Sequence, residues 1–334
     1  MARLGRLNLG KNSLTGSIPT EIGKLTSLYK LELNNNSLNG PIPSELGLLA
    51  TELEYLNLGI NHLMTGSIPY QLTLCNKLWY VDLRRNDFNG WIPNAIGDLT
   101  NLRYLQLSYN DFMGGIPRSV QFLTSLETLD LSSNSLTGTI QSEIGLLSSL
   151  VYFTVGRNDL NGIIPSEISS LTSLEKLNLE LNSLTGVIPA ELGDLSLLRN
   201  LDFDHNSLTG TIPTQIGLLT SLTYFKAGSN ELTGSIPSAI GNLVVMEKLQ
   251  LEKNSLTGSI PTEIGNLVSM KDFWFAKNTL TGSIPSQLGL CAKLRNLWGS
   301  HNSLARSIPT EVVRSRRFFL YYYVAICCTS VSWQ

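Results

Sequence analysis

The side chains most often used in catalysis are sparse in this chain of 334 residues. Its three histidines are His62, His205 and His301, and the last two occupy the same position of a repeating pattern, four repeats apart. If each repeat contributes one parallel strand, about 4.8 Å from the next, these two imidazoles lie roughly 19 Å apart. No Ser/His/Asp or Cys/His set can be assembled at that spacing. The sequence therefore predicts no catalytic residues, no enzyme activity and no cofactor.

Acidic side chains come together in one region of the chain. Glu180, Asp202 and Asp204 fall on the same face of two neighbouring predicted strands. Carboxylate oxygens are ligands for hard cations, so a cation site is one interpretation. A solvated acidic patch is the interpretation that we favour, and we predict no metal site.

Aromatic and arginine side chains are concentrated in repeats 3 to 5. Tyrosine, tryptophan and arginine dominate the energetically important contacts of protein interfaces, and a guanidinium can hold a carboxylate in a bidentate pair. The alternative explanation is β-propensity, which also favours tyrosine on strands. We predict a contact surface for a peptide or protein ligand that bears a carboxylate, and it consists of Tyr55, Trp79, Tyr80, Arg84, Arg85, Arg103 and Tyr104.

A second aromatic pair lies near the end of the repeats. Trp274 and Trp298 share one column in repeats 12 and 13, but Gly299 and Arg306 show that repeat 13 has lost the pattern. Trp298 is therefore interpreted either as part of a contact surface or as a cover for the end of the array.

All these residues lie in a repeating pattern, which is marked by an asparagine that recurs along the chain. From Asn12 to Asn302 the step is 24 residues, except for two steps of 25 on either side of Asn61. Twelve of the 13 prolines lie in Ile-Pro pairs, one in each repeat except the sixth, which has Gln141 instead. Thirteen repeats of about 24 residues therefore fill residues 1–313.

Each repeat reads LxxLxLxxNxLTGxIPxxIGxLxx, which divides into a strand, a turn and a return segment. The LxLxx part alternates as a half-buried strand does, so Leu31 and Leu33 are predicted to point inward. A stacked column of Asn side chains can satisfy the backbone groups freed at each turn. The Gly permits a tight turn, and the Pro prevents a return to a strand ladder. One repeat cannot bury its own apolar face, so neighbouring repeats must stack.

This pattern resembles that of plant-type leucine-rich repeats, found in the ectodomains of receptor-like kinases, in receptor-like proteins and in cell-wall inhibitor proteins. The resemblance implies an α/β solenoid, a right-handed superhelix with a parallel β-sheet on the concave face and mostly 3-10 or irregular structure on the convex side. It also implies that the exposed sheet face recognises a peptide or protein ligand, with or without a co-receptor. The rival interpretations are an intracellular scaffold for protein interactions and a fragment of a receptor-like serine/threonine kinase.

The overall charge is mildly acidic, with a formal net charge of −2 and a pI near 6.0. Nucleic acid is not a predicted partner, because phosphate binding needs a basic surface. No apolar run of 18 residues occurs, so a membrane role depends on an anchor supplied by the full-length gene. The start, MARLGRLNLG, shows no signal peptide. We predict a cell-surface or secreted protein if the full-length chain carries a signal peptide, and a cytoplasmic one otherwise.

Neither the cysteines nor the ends of the chain look like those of a complete secreted repeat protein. Cys75 and Cys291 occupy the same repeat position nine repeats apart, too far for a disulfide, and each is predicted to be a small buried or half-buried residue on the convex side. We expect a fragment, because no cap is recognisable and terminal repeats need a polar cover. Residues 314–334 are predicted to be a basic and hydrophobic tail, interpreted as the start of a membrane helix, a degenerate fourteenth strand or translated non-coding sequence.

Overall fold

The computed structural model describes residues 3–314, in which each repeat forms one coil. A coil consists of a three-residue strand, a turn, a second short extended segment and a 3-10 helix. The chain divides into two compact units, Met1–Asn161 and Gly162–Gln334. The predicted α/β solenoid of parallel strands and 3-10 turns is confirmed. Of the predicted tail, residues 314–334, Arg314 ends a short α-helix, and residues 315–334 lie outside the described residues.

In the first unit the strands alternate between two parallel sheets, with odd-numbered strands in one and even-numbered strands in the other. The strands are β1 (Arg6–Asn8), β2 (Thr15–Ser17), β3 (Lys30–Glu32), β4 (Ser37–Gly40), β5 (Tyr55–Asn57), β6 (Leu63–Gly66), β7 (Tyr80–Asp82), β8 (Asp87–Trp91), β9 (Tyr104–Gln106), β10 (Asp111–Gly114), β11 (Thr128–Asp130), β12 (Ser135–Thr139), β13 (Tyr152–Thr154) and, at the boundary, β14 (Asp159–Ile163). The 3-10 helices are Thr20–Lys24, Ser44–Leu49, Tyr70–Leu74, Asn94–Asp98, Arg118–Phe122 and Ser142–Leu146.

The second unit continues the numbering with β15 (Lys176–Asn178), β16 (Ser183–Thr185), β17 (Asn200–Asp202), β18 (Tyr224–Lys226), β19 (Lys248–Gln250), β20 (Asp272–Trp274) and β21 (Asn296–Trp298). Its 3-10 helices are Ser166–Ser170, Ala190–Asp194, Thr214–Leu218, Ser238–Asn242, Thr262–Asn266 and Ser286–Leu290, followed by α1 (Thr310–Arg314). Of these strands, β16 belongs to the sheet of the even-numbered strands. All the others continue the sheet that holds the odd-numbered strands of the first unit.

In each unit, the sheet formed by the three-residue strand at the start of every coil has one buried side and one open side. Within a unit, each strand pairs with the same residues of the next coil, as Leu31 with Leu56 and Leu56 with Val81. These central residues are buried, whereas Lys30 and Glu32 on either side of Leu31 are partly exposed. The alternation predicted from the sequence is therefore observed. We call the open side of this sheet the strand face.

The second sheet was not predicted, and proline explains where it ends. The LTGxI segment is extended and pairs with that of the next coil, as Gly16 with Leu38. Proline has no N–H to donate to a ladder, so pairing stops there. The same proline precedes the first residue of each 3-10 helix, as Pro43 does with φ −65°. Gln141 replaces it in the sixth repeat with φ −83° and keeps the same extended conformation.

The recurring asparagine forms the predicted column of hydrogen bonds. The Oδ1 atom of Asn158 accepts the backbone N–H of Leu136 at 2.9 Å. Its Nδ2 atom donates to the carbonyl oxygen of Val155 at 2.9 Å and to that of Leu131, one coil earlier, at 3.0 Å. The Asn158 side chain therefore joins two coils and leaves no polar atom of its amide without a partner.

One position of each coil has a special backbone conformation, and another is in many coils a glycine with no room for a side chain. The residue before the recurring asparagine has a positive φ throughout, including the β-branched Ile60 at 59°. In the 3-10 helices the glycine allows close stacking, because a Cβ on Gly47 would lie 2.7 Å from the carbonyl oxygen of Gln71 in the next coil.

The two extra residues of the long repeats are absorbed outside the strand face. The 3-10 helix Ser44–Leu49 has six residues, whereas Tyr70–Leu74 and the others have five. The second extra residue lies between Asn61 and Gly66, where the backbone N–H of Asn61 donates to the Oδ1 atom of Asn86 at 3.1 Å. In other coils the residue two positions later makes this bond. The asparagine column therefore continues through the insertion.

Both described cysteines lie on the helix side and are buried, as predicted. The thiol of Cys75 lies 3.6 Å from the carbonyl oxygen of Leu46, and that of Cys291 lies 3.2 Å from the carbonyl oxygen of Ile264. Burial raises the pKa of both thiols to about 11. Neither thiol is in a disulfide bond.

Candidate functional site

Three tyrosines form a row on the strand face of the first unit. Tyr55, Tyr80 and Tyr104 open β5, β7 and β9 and are paired in register. The rings of Tyr55 and Tyr80 are stacked, with centroids 4.3 Å apart and 3° between the planes. The rings of Tyr80 and Tyr104 lie 5.8 Å apart. The row forms because equal positions of neighbouring parallel strands point to the same side of the sheet.

Trp79 completes a group of four rings from the position just before β7. It meets Tyr55 and Tyr80 edge-on, with centroids 5.4 and 5.7 Å apart, and lies 6.2 Å from Tyr104. Such aromatic pairs stabilise by about 0.5–1.5 kcal/mol each beyond the area that they bury. The Trp79 side chain is 36% exposed, so the group presents an apolar surface to solvent. We call Tyr55, Trp79, Tyr80 and Tyr104 the aromatic cluster.

Arg84 lies beside the cluster and holds a buried carboxylate. Its Nε atom is 3.2 Å from Oδ2 of Asp82, whose side chain is 1% exposed. Asp82 also accepts the backbone N–H of Arg84 at 3.0 Å and the hydroxyl of Tyr80 at 3.4 Å. Burial raises the pKa of Asp82, and the guanidinium of Arg84 opposes that rise. Burial, and then the charge of Asp82, raise the pKa of Tyr80, so its hydroxyl remains a donor at neutral pH.

Arg103 is bound to an acid from the next coil. Its Nε atom donates to Oε1 of Glu127 at 2.8 Å, and a second guanidinium nitrogen contacts the same oxygen. The hydroxyl of Tyr104 donates to Oε2 of Glu127 at 2.6 Å. This hydroxyl, and then the guanidinium, hold the pKa of Glu127 below its usual value. Arg103 therefore fixes the edge of the aromatic cluster through Glu127.

Arg85 has a different environment from the other two arginines. It occupies the positive-φ position before Asn86, with φ 54°. Its guanidinium carbon lies 4.9 Å from the ring centroid of Tyr109, in the range of a cation–π contact. Within residues 3–314, no carboxylate lies within 4.0 Å of its guanidinium nitrogens. Arg85 thus carries a charge that no described acid neutralises by direct contact.

The structure brings the four aromatic residues of the predicted site together, with Arg103 beside them, and adds partners that the prediction did not include. Tyr55, Trp79, Tyr80 and Tyr104 touch one another, and Arg103 lies with its guanidinium carbon 5.9 Å from the Tyr104 centroid. The residues missed are Lys30, Asp82, Tyr109 and Glu127; the ammonium of Lys30 lies 4.3 Å from the Tyr55 centroid. Two of these partnerships, Arg103 with Glu127 and Arg85 with Tyr109, join residues 24 positions apart. An offset of one repeat was therefore the signal that could have found them.

The acidic residues of the second unit are accompanied by a lysine. The ammonium of Lys226 lies 2.6 Å from Oδ2 of Asp202. Asp204 accepts the backbone N–H of Gly228 at 2.6 Å. Burial, and then the charge of Asp202, raise the pKa of Asp204 to about 7. Among residues 3–314, no three His, Cys, Asp or Glu side chains are arranged to hold a metal ion.

The tryptophan pair of the second unit is stacked. The rings of Trp274 and Trp298 lie 4.3 Å apart with 7° between their planes, and Trp298 is 51% exposed. The ammonium of Lys248 lies 4.5 Å from the Trp274 centroid.

In the part of the chain that the structure describes, no helix is long and apolar enough to cross a membrane.

Family models and solved structures agree on the nature of these coils. The model for a leucine-rich repeat region matches residues 86–209, and that for a single leucine-rich repeat matches residues 3–25, 27–49 and 246–267. A structure of a leucine-rich-repeat protein from Leptospira interrogans is 32% identical, over 95% of this chain and 82% of that one, with a TM-score of 0.68. No curated protein matched the sequence.

Two plant receptor structures are similar over most of this chain. The Arabidopsis receptor kinase HAESA, in complex with the peptide hormone IDA and the co-receptor SERK1, is 33% identical with a TM-score of 0.86; the match covers 95% of this chain and 56% of that one. The plant peptide hormone receptor RGFR1, in complex with RGF2, is 34% identical with a TM-score of 0.82; the match covers 93% and 54%. The chain therefore spans little more than half of these two structures.

Proposed function

This chain belongs to the leucine-rich-repeat family, and we propose that it is a non-catalytic recognition protein whose strand face binds an extended peptide or protein segment. The observation that carries the proposal is the aromatic cluster. Its four rings lie together on the open side of the sheet, and Trp79 remains partly exposed there. Rings offer a large contact area with little rotamer entropy to lose on binding.

The arginines beside the cluster support a ligand that carries a carboxylate. Arg85 has no acid partner among the described residues, and Arg84 places its Nε atom on Asp82 while its side chain stays 44% exposed. The terminal nitrogens of Arg84, together with Arg85, would hold a peptide C-terminus or an acidic side chain. Arg103 would contact the ligand only at the rim of this surface, because its guanidinium is already bound to Glu127.

The similar receptors support a peptide or protein partner for the whole protein. HAESA and RGFR1 were solved with a peptide hormone and with RGF2, and HAESA also with a co-receptor. We propose the same classes of partner for this chain, and a cell-surface or secreted location for the protein to which it belongs. In this proposal the described repeats contribute recognition and no catalysis.

Selection from a displayed peptide library tests this function directly. The full chain is immobilised, and enriched peptides are expected to combine apolar residues with an acidic residue or a required free C-terminus. Each enriched peptide is then measured by calorimetry against Tyr80→Ala and Arg85→Ala. Each substitution should weaken binding at least about 30-fold, which corresponds to about 2 kcal/mol for a hot-spot residue.

Matched controls come from the helix side of the same unit. Tyr70→Ala and Arg118→Ala remove the same side-chain types from exposed positions on 3-10 helices. Both should bind the selected peptides as the parent does. If the selected peptides bind Tyr80→Ala and Arg85→Ala as tightly as the controls, or if no peptide is enriched, the proposed surface is wrong.

A further inference from the structure

A cavity of about 300 Å³ opens on the strand face of the second unit. It lies over β15, β17, β18 and β19, so that four neighbouring strands contribute to it. The side chains that matter for its chemistry are Lys176, Asn200, Asp202, Tyr224, Lys226 and Lys248. The function proposed above makes no use of this cavity.

The cavity carries a positive charge in a chain whose net charge is negative. The residues that line it include three lysines and one carboxylate, Asp202, which is paired with Lys226 at 2.6 Å, whereas Asp204 and Glu180 act on Lys226 from outside the lining. In the described part of the chain, no acid lies within 4.0 Å of the ammonium group of Lys176. The ammonium of Lys248 lies against the ring of Trp274, a contact that leaves its full charge in place. Two ammonium groups are therefore available to an anion.

The shape of the cavity places these charges around an aromatic ring. Lys176 and Lys248 occupy the same strand position three strands apart, or about 14 Å by strand spacing, with Tyr224 between them. The hydroxyl of Tyr224 donates to Oε2 of Glu247 at 3.2 Å, which orients the ring, and the side chain is 38% exposed. The amide of Asn200 adds a polar group to the lining.

The volume indicates an organic ligand and not a bare ion. About 300 Å³ is at the lower end of the range for small-molecule sites, and one inorganic oxyanion would leave most of it to water. We propose that this cavity binds an aromatic oxyanion, whose charged group is attracted by the positive charge of these lysines and whose ring packs on Tyr224. The proposal does not depend on ligand binding at the aromatic cluster.

Calorimetry with phenyl phosphate tests the proposal on the full chain. Saturable binding is expected, with inorganic phosphate at least tenfold weaker because it has no ring, and with benzyl alcohol showing no saturation because it has no charge. Affinity should fall as ionic strength rises, since the lysines are partly exposed. Equal affinity for inorganic phosphate and phenyl phosphate, or no saturation by phenyl phosphate at millimolar concentration, would overturn the proposal.

Substitutions locate the binding to this cavity. Lys176→Gln and Lys248→Gln should each weaken phenyl phosphate binding at least fivefold, and Tyr224→Ala should do the same, whereas Lys277→Gln on an exposed turn should not. Lys226 is left unchanged because its loss would strip Asp202 of its counter-charge. Urea midpoints equal to that of the parent show that the variants are folded. Unchanged affinity in both lysine variants contradicts the assignment.

The same chemistry could come from a free small acid or from a side chain of a protein ligand. A short peptide with one phosphotyrosine distinguishes the two sources. Tighter binding than that of phenyl phosphate assigns the cavity to a side chain, since flanking residues then add contacts. Weaker binding by the peptide assigns the cavity to a free molecule, since the peptide chain then fits poorly.

Discussion

Arg84 has two tasks, because it faces the proposed ligand and compensates a buried charge. Removing it in Arg84→Ala leaves the carboxylate of Asp82 without its guanidinium partner, and we expect the free energy of unfolding to fall by about 1–3 kcal/mol. Arg85→Ala breaks no ion pair within residues 3–314 and loses only the contact with the Tyr109 ring, so it should change this free energy by no more than about 0.5–1 kcal/mol. Urea denaturation of both variants measures the difference. Equal stability would mean that Asp82 does not rely on Arg84.

Asp204 should make the stability of the second unit depend on pH. Its pKa is raised from 3.8 to about 7 by burial and by the charges of Asp202 and Glu252, with the backbone N–H of Gly228 and then Lys226 opposing. The folded state therefore holds the proton more tightly than the unfolded chain, so this contribution is complete below about pH 4 and is lost as the pH rises through 7.

Replacing this carboxyl with an amide should remove the pH effect. Asp204→Asn should be more stable than the parent at pH 8, by about 1–2 kcal/mol after allowance for solvent screening, and nearly equal to it at pH 4. Urea denaturation at the two pH values measures both differences. The exposed Asp194→Asn serves as the control and should show neither effect. A parallel pH profile of Asp204→Asn and the parent would contradict the assignment.

Ile60 should be a weak point of the backbone. It has φ 59°, a conformation that is unfavourable for a β-branched residue and tolerated by asparagine. Ile60→Asn should therefore stabilise the protein by about 0.5–1.5 kcal/mol, measured as a rise in the urea midpoint. Ile163→Asn, at an exposed strand position without positive φ, should bring no gain. A lower midpoint for Ile60→Asn would show that the side-chain contacts of Ile60 outweigh the strain.

At the residue scale, the sequence predicted which side chains share a surface but not how each is already engaged. The row of tyrosines follows from the repeat period, because equal positions of successive strands meet. Arg103 is held by Glu127, whereas Arg85 contacts no acid in the part of the chain that the structure describes, and this difference depends on rotamers and on backbone direction at the turn. A consensus repeat pattern specifies neither the side-chain rotamers nor the backbone direction. The site as a contact surface remains a prediction, to be tested as described above.

At the scale of the elements, the asparagine column should be among the most sensitive features. Asn158 accepts one backbone hydrogen bond and donates to carbonyl groups of two coils, all of them buried. Asn158→Ala leaves these groups unpaired, and we expect a loss of about 1–3 kcal/mol in the free energy of unfolding. Asn89→Ala, at an exposed position of β8, is the matched control and should change it by less than about 0.5 kcal/mol. Equal midpoints for the two variants would deny the column its structural role.

The elements themselves were predictable to the extent that their chemistry repeats. The strand, the asparagine column and the glycine turn each follow from one residue type at one position. The second sheet could not be predicted in this way. Its residues are mostly small and polar, and its pairing depends on how closely neighbouring coils stack. The positive φ of the residue before Asn86, and of the equivalent residue in other coils, was also not predictable from the sequence. Residues such as Lys, Arg, Ser, Tyr and Leu occupy that position, and no glycine marks it.

At the scale of the whole molecule, α1 should stabilise the last repeats by covering the 3-10 helix Ser286–Leu290. Its Val312 is buried, and the carbonyl oxygen of Glu311 approaches Gly289 of the preceding 3-10 helix. A chain that ends after Pro309 should lose about 1–2 kcal/mol of stability with this cover. A chain that ends after Arg317 should unfold at the same urea concentration as the parent. Equal destabilisation by both truncations would show that the cover extends beyond α1.

The asparagine column also has a genetic consequence. Residues 12–23 and 254–265 are the same twelve amino acids, and each begins at the asparagine that links one coil to the next. Unequal recombination between gene segments that encode such stretches would delete or duplicate whole coils and leave every hydrogen bond across the junction with its usual partner. The length of the strand face could then change in a single inherited event, with new outward residues acquired later by substitution.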